Sequence, residues 1–335
     1  MINISSPHRA HEFQSKPRSL HRRNFLKHGV ALVGASALLA TRSSQAGSSS
    51  TPSGGDKSGG FVDVHVHVWT NDLKRYPIAP GFTRNDMQPS TFLPEDILRH
   101  ARPSGVNRIV LIQMSYYKFD NSYMLDVIRH SPGVFRGVAV IDKDGSHPDL
   151  VMRELKKHGV RGFRIVPGGS PGAPSFEGEG FDKMFGCASK ERLAMCPLLN
   201  PDALPALAKQ CERFPDMPVA IDHLAHVGAQ GRILESEVQA LCAMAKYPQV
   251  YVKVSAFYAL GLKRPPHEDL APLIRRVYEA YGPQRMMWGS DCPYQVMKET
   301  YEDGISLIRS HLSFLSAEDR EWILRKTAES VFFTD

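Results

Sequence analysis

Eight short apolar runs, alternating with helix-like segments, constrain this chain more than any other feature. They lie at residues 61–68, 108–113, 135–141, 160–166, 194–199, 219–221, 250–254 and 285–288. Several are apolar without alternation, as in Ile109-Val110-Leu111-Ile112, which is expected of strands covered on both faces. Between them, residues 94–102, 121–130, 148–158, 201–214, 234–246, 270–281 and 296–311 show the three-to-four spacing of amphipathic helices. Ser316-Ala317-Glu318-Asp319 has the form of a capping box opening a last helix that runs to near Phe332.

Eight strand–helix repeats predict an α/β fold, a (β/α)8 TIM barrel; a doubly wound open sheet is the other arrangement with this alternation. The polar residues discriminate between the two. His65 and His67 close the first run, Arg164 the fourth and Lys253 the seventh, while His223 follows the sixth and Asp291 the eighth. A barrel gathers the carboxyl ends of its strands on one rim, whereas an open sheet spreads them along an edge. Two long loops fall on the same side, 70–92 and 167–181, the second containing Gly168-Gly169-Ser170-Pro171-Gly172. Such loops read as lids or as loose insertions.

The first 46 residues read as a twin-arginine export signal. Arg22-Arg23-Asn24-Phe25-Leu26-Lys27 precedes an uncharged stretch at 29–40, and Ser44-Gln45-Ala46 offers small residues for cleavage. The stretch is too short to span a bilayer core of about 30 Å. Residues 1–46 hold seven Lys or Arg and one acid; removing them from 41 basic and 35 acidic residues leaves 34 of each. The net positive charge therefore belongs to the leader, and the remainder has no excess charge to suggest nucleic acid or an anionic membrane. Residues 47–60, rich in Gly and Ser, read as a flexible linker. Residues 61–335 then suit a single barrel domain. The expected location is the periplasm, with no stable membrane anchor once the signal is cleaved. Cys187, Cys196, Cys211, Cys242 and Cys292 are odd in number and lack a C-x-x-C, so no disulfide framework is expected.

In Phe61-Val62-Asp63-Val64-His65-Val66-His67-Val68, side chains two apart on a strand share a face. Paired imidazoles make a poor core contact and a good half of a metal site. With His223 and Asp291 they form a ligand set of three imidazoles and a carboxylate, suited to Zn²⁺ and also to Mn²⁺ or Fe²⁺. Asp291, in Gly289-Ser290-Asp291, reads as ligand and general base, or as a cap before Pro293. His223 reads as ligand or as a satisfied core histidine. An inward Lys253 needs a partner, either Asp291 or a substrate oxygen; an outward one would face the helices. Arg164 reads as a carboxylate clamp or as a salt bridge to a helix.

Several stretches, in order, carry a family resemblance: Val62-Asp63-Val64-His65-Val66-His67, Gln113 through Asp120-Asn121-Ser122, Val160-Arg161-Gly162-Phe163-Arg164, Ile221-Asp222-His223-Leu224, Val250-Tyr251-Val252-Lys253-Val254-Ser255 and Trp288-Gly289-Ser290-Asp291-Cys292-Pro293. Together they resemble the amidohydrolase-related ("amidohydrolase 2") family, and within it the branch with 2-pyrone-4,6-dicarboxylate lactonase and L-fuconolactonase-like enzymes. The resemblance implies a metal-dependent-hydrolase barrel. It implies Asp291, His223 and Lys253 as catalytic residues, and His65, His67, His223 and Asp291 as ligands of one divalent ion, Zn foremost. It further implies Arg164, Asn121, Ser255 and His226 as substrate-binding residues. The dicarboxylate lactonases of this branch work without metal, so a metal-independent reaction is also within its range. The chain departs from those enzymes at Lys118-Phe119, at His226, at Ala256-Phe257-Tyr258 and in lacking a second arginine after Arg164. A substrate with two carboxylates would find fewer partners here.

The expected function is hydrolysis of a lactone, a sugar-acid or related carboxylated one, by water attack on the ring carbonyl. The alternatives are a metal-dependent decarboxylase of the same superfamily and a non-catalytic barrel that binds a sugar acid. The expected partner is a small molecule, with room for a homo-oligomer.

Overall fold

The computed structural model describes residues 59–170 and 172–334. The export segment and all but the last two residues of the linker lie outside the described residues. All eight apolar runs form strands: β1 (Phe61–Val66), β2 (Val106–Ile112), β3 (Phe135–Ala139), β4 (Val160–Ile165), β5 (Ala194–Pro197), β6 (Val219–Ile221), β7 (Val250–Ser255) and β8 (Met286–Gly289). They pair in parallel and in chain order from β1 to β8. Closure between β8 and β1 is made just beyond the strands. The Asp291 N–H donates to His65 O and the His67 N–H to Cys292 O, both at 2.8 Å. The arrangement is a (β/α)8 barrel, and an open sheet is ruled out by this return.

The strands are apolar on both faces because each face is covered. Inside the barrel, Val62, Val64, Val110, Val138 and Met287 pack with Val331 and Phe332 of the C-terminal helix Thr327–Phe332. Arg108 and Arg136, early in β2 and β3, lie over the Phe333 ring, so this last segment seals the amino-terminal end of the barrel. The opposite end is left for the loops. Outward residues such as Leu111, Phe163, Val252 and Trp288 pack beneath the surrounding helices.

Two expectations need correction. Residues 167–181 are not one loop: an antiparallel hairpin pairs Gly168–Ser170 with Ala173–Ser175, and a helix, Glu179–Glu191, begins soon after. That helix buries Phe181, Met184, Phe185 and Ala188 at helical spacing. Gly180 made it look like loop, yet a Cβ there would stand 2.1 Å from Lys143 O, so this glycine serves close packing. After β8 the regular helix starts at Tyr301, later than the predicted 296, where Thr300 and Asp303 form the capping box. The long loop 70–92 is tied down. Trp69 exchanges backbone hydrogen bonds with Phe92, and the Tyr76 hydroxyl donates to Asp126 Oδ2 at 2.6 Å. Among the described residues no helix is long and apolar enough to cross a membrane.

Candidate active site at the carboxyl rim

β1 supplies the first two groups. The His65 and His67 rings lie 5.2 Å apart between centroids, and the β1–β2 register is irregular between Asp63 and Val66. Closure then brings the turn after β8 onto β1. A Cβ at Gly289 would lie 2.9 Å from His65 Cβ, so glycine is needed for the two strands to approach this closely. Asp291 adopts φ +65°, which an aspartate tolerates better than most residues. Asp63, fully buried, splints the junction: Oδ1 accepts from the Ser290 N–H (2.9 Å) and the His65 N–H (3.1 Å), and Oδ2 from the Tyr301 hydroxyl (2.9 Å). Burial pushes the Asp63 carboxyl up to about 6.

β6 ends in an unusual turn. His223, Leu224, Ala225 and His226 all have φ between +51° and +58°. Four consecutive left-handed residues, none glycine, cost about 1–2 kcal/mol each, and the surrounding burial must hold them. The turn leaves Asp222 fully buried and brings His223 to the rim.

The hydrogen bonds set the imidazole tautomers. His67 Nδ1 lies 2.9 Å from Ile112 O, an acceptor, so Nδ1 carries the hydrogen and donates it there. His65 Nε2 lies 2.8 Å from Arg164 Nη2, a donor, so Nε2 accepts and Nδ1–H faces Asp222 Oδ1 at 3.4 Å. His223 Nδ1 lies 2.9 Å from Ser255 Oγ, whose own hydrogen points to Lys253 O at 3.4 Å, so His223 donates to Ser255. All three Nε2 atoms thus carry lone pairs in the neutral rings. The three Nε2 atoms surround one atom, Asp291 Oδ1, at 3.2 Å from His67, 3.6 Å from His65 and 4.0 Å from His223, with the His65 lone pair already accepting from Arg164. The other carboxylate oxygen, Oδ2, accepts from the Tyr258 hydroxyl at 2.6 Å.

Lone pairs facing a carboxylate at these distances call for a cation between them. His65, His67 and Asp291 offer donor atoms that all lie within 4.8 Å of one another and can hold a metal ion. His223 stands at the edge of this set rather than within it. Each imidazole Nδ1 is directed to a carbonyl, carboxylate or hydroxyl partner, as metal-ligating histidines usually are.

Burial lowers His65 well below the ordinary imidazole value, with the neighbouring His223 adding to it, and lowers His223 to about 4. Burial alone would raise Asp291, but His223, His67 and His65, once they carry a second proton, reverse the sign and hold it below the usual carboxylate range. Burial likewise opposes ionisation of Asp222, and Lys253, His65 and Arg164 override it.

Lys253 does not stand at the rim as expected. It is fully buried, with Nζ 2.9 Å from Asp222 Oδ1 and 5.5 Å from the Phe332 ring centroid. Its charge supports Asp222, which in turn meets Arg164 Nη2 at 3.2 Å. Ser255 is also fully buried and orients His223 rather than facing the mouth. Asn121 gives its amide hydrogens to Phe119 O and Val140 O and accepts from the Val140 N–H, so it laces loop to strand end. His226 lies at the mouth, stacked on His223 with centroids 5.7 Å apart and Nδ1 3.0 Å from Asn200 Oδ1. Arg164 is the partly open cation of the set.

Sequence reasoning left Asp222, Tyr258 and Tyr294 without roles. Asp222 ends a buried strand beside His223, a readable signal. The two tyrosines had none, because loop geometry decides where they point. The Tyr294 ring meets His67 edge-on at 5.8 Å, and its hydroxyl has the Met114 sulfur as an acceptor, at 3.9 Å. A thioether is a weak acceptor, so this hydroxyl can still donate elsewhere. Burial, then Asp291, raises it to about 12, so it stays protonated at neutral pH.

A family model described as amidohydrolase matches residues 62–334. A 4-sulfomuconolactone hydrolase of Hydrogenophaga intermedia is 26% identical over 266 residues, covering 78% of this chain and 84% of the relative. An L-fucono-1,5-lactonase of Burkholderia ambifaria is 27% identical over 236 residues, covering 69% and 80%. A crystal structure from Pseudomonas putida, designated a 2-pyrone-4,6-dicarboxylic acid hydrolase, superposes with a TM-score of 0.68 at 24% identity, covering 82% of this chain and 97% of that one.

Proposed function

The chain belongs to the amidohydrolase family, and from that premise we propose that it opens a lactone by adding water to the ring carbonyl. The observation that carries this reading is the grouping of three imidazole Nε2 atoms around Asp291 Oδ1 at the barrel rim. The names of the relatives, a sulfomuconolactone hydrolase and a fuconolactonase, support the same bond as the target.

Asp291, ionised at neutral pH, takes a proton from the attacking water. The water oxygen bonds to the carbonyl carbon, the ring C–O bond breaks, and the released alkoxide regains a proton. Tyr258 holds Oδ2, which leaves Oδ1 turned to the imidazoles and the reacting water. Tyr294, whose hydroxyl is only weakly accepted by Met114, donates to the oxygen that gains charge. Arg164 orients the substrate from one side.

His65, His67 and Asp291 would hold a divalent ion, with His223 beside them, and the mixed imidazole–carboxylate set favours Zn²⁺ over harder ions. When bound, such an ion polarises the ring carbonyl and makes a nearby water more acidic. The export reading of residues 1–46 would place the reaction in the periplasm, which cell fractionation tests.

The test is elemental analysis of the purified protein beside a lactone panel assayed with and without chelator. Ring opening of any lactone, lost in Asp291→Asn, supports the reading; release of CO₂ without ring opening overturns it.

A further inference from the structure

The ladder between β7 and β8 ends at Ser255 and Gly289, and both strands then pass into loops. One loop carries Tyr258 and the other carries Asp291 and Tyr294, so the hydrogen bond from the Tyr258 hydroxyl to Asp291 Oδ2 crosses between them. Two further contacts make the same crossing. His267 Nε2, on the loop after β7, lies 2.9 Å from Glu299 Oε2, on the loop after β8. Lys298 Nζ, on the residue next to Glu299, lies 4.7 Å from the Tyr258 ring centroid.

The His267–Glu299 pair is built into the fold, with both side chains buried. Glu299 is anchored on its own loop: Oε1 accepts from Gln295 Nε2 at 3.2 Å, and the same amide donates to Thr300 O at 3.0 Å. His267 adopts φ +60°, a left-handed value uncommon in residues other than glycine. Its ring meets that of Phe257, the chain neighbour of Tyr258, with centroids 5.9 Å apart. Its Nδ1 is buried without a hydrogen-bond partner, so Glu299 is the polar group that aims the ring. A residue that only filled space would need neither the left-handed backbone nor an orphaned buried nitrogen.

We propose that His267 and Glu299 are positioning residues, whose buried hydrogen bond clasps the loops after β7 and β8 and so sets the Tyr258 hydroxyl on Asp291. This rests on the lactonase reading above, in which Asp291 is the base and Tyr258 holds its second oxygen. Neither clasp residue touches the reacting atoms. They act through Tyr258, and a displacement of about 1 Å at such a contact can cost up to about a hundredfold in rate.

The test is steady-state kinetics of ring opening by the protein as purified, over a panel of lactones. Glu299→Leu and His267→Phe, which delete the hydrogen bond from either side, should lower kcat about tenfold and leave KM within about twofold. Glu299→Gln keeps an acceptor for His267 and should retain at least about a third of the parent kcat. In a Tyr258→Phe background, Glu299→Leu should lower kcat by less than about a further twofold, because the group it positions is already gone. If Glu299→Leu does not fold, Glu299→Asp, which withdraws the acceptor and keeps the charge, takes its place with a fall of about threefold that likewise vanishes in Tyr258→Phe. His311→Gln breaks the exposed pair that His311 makes with Glu268, beside His267, and should leave kcat unchanged. Full kcat in Glu299→Leu, a Glu299→Gln variant as slow as Glu299→Leu, or a loss of equal size with and without the Tyr258 hydroxyl overturns the clasp and leaves the lactonase reading standing. No turnover of any lactone by the parent overturns both.

Discussion

Asp291 Oδ1 lies 3.2 Å from His67 Nε2, and in a neutral ring whose Nδ1–H is committed to Ile112 O neither atom has a hydrogen to offer the other. The two acceptors are held together by closure of the barrel, which fixes Asp291 to β1 through its own N–H. This contact lies at the centre of the candidate site, and most of the molecule's testable behaviour follows from it.

Asp291→Asn removes the proposed general base and should lower kcat by at least about a hundredfold. The new amide can donate to His67 Nε2, so the metal-free variant should melt no lower than the parent, and by up to roughly 2–4 °C higher. Steady-state kinetics and calorimetry check the two parts separately. A lower Tm in the metal-free variant would count against facing lone pairs.

Metal should stabilise the protein by filling that contact. Zn²⁺ at a hundred times its dissociation constant should add about 2.7 kcal/mol. Melting curves of chelated protein with and without added Zn²⁺ measure it. His67→Ala should abolish the shift, whereas His226→Ala, which alters a ring outside the set, should keep it.

Acid acts on the chelated protein through buried groups of opposite sign. His223 has an ordinary value of 6.5 and is lowered to about 4 in the fold, and His65 is lowered in the same sense. The unfolded chain therefore binds protons that the folded one refuses. Stability is full above the unfolded value and is lost as pH falls from 6.5 toward 4, by about 3 kcal/mol for His223 alone. Asp63, raised from 3.8 to about 6, works the other way, since the fold holds a proton that the unfolded chain releases, and it offsets a similar amount as pH falls from 6 toward 4. Denaturant unfolding of the parent and of His223→Gln over this window isolates the imidazole contribution; parallel profiles would refute it.

Tyr258→Phe deletes the hydrogen bond to Asp291 Oδ2 and should cost about 1.5–3 kcal/mol of transition-state stabilisation, a ten- to hundredfold fall in kcat. Losing a donor makes the carboxylate more basic, so the acid limb of the kcat/KM profile should move to higher pH. A purely structural role would leave that limb where it is.

Lys253→Met should leave Asp222 without its closest cation and destabilise the fold by about 3–5 kcal/mol. Adding Asp222→Asn removes a buried charge then balanced by Arg164 alone and should recover part of the loss. Chemical denaturation of the single and double variants gives the coupling directly.

The strands were legible because a barrel buries both faces of every strand, so eight apolar runs with helices between them leave few alternatives. His65, His67, His223 and Asp291 were legible as polar residues at the carboxyl ends of those runs, and they do meet. Lys253 was read as facing a substrate oxygen or Asp291, because sequence shows that an inward lysine needs a partner without showing that Asp222 lies nearer. Tyr258 and Tyr294 depend on how two loops turn after β7 and β8, which no periodicity encodes. The helix Glu179–Glu191 was hidden by Gly178, Gly180 and Gly186, residues that usually end helices and here serve its entry and packing.

Seven of the eight junctions in this barrel are ladders within the sheet, while the eighth, between β8 and β1, is an isolated bridge of Val66 with Cys292. The seam of the cylinder and the candidate site are therefore the same few residues. On gentle warming the wall should part there first, so that turnover fades while the circular dichroism of the helices is still intact.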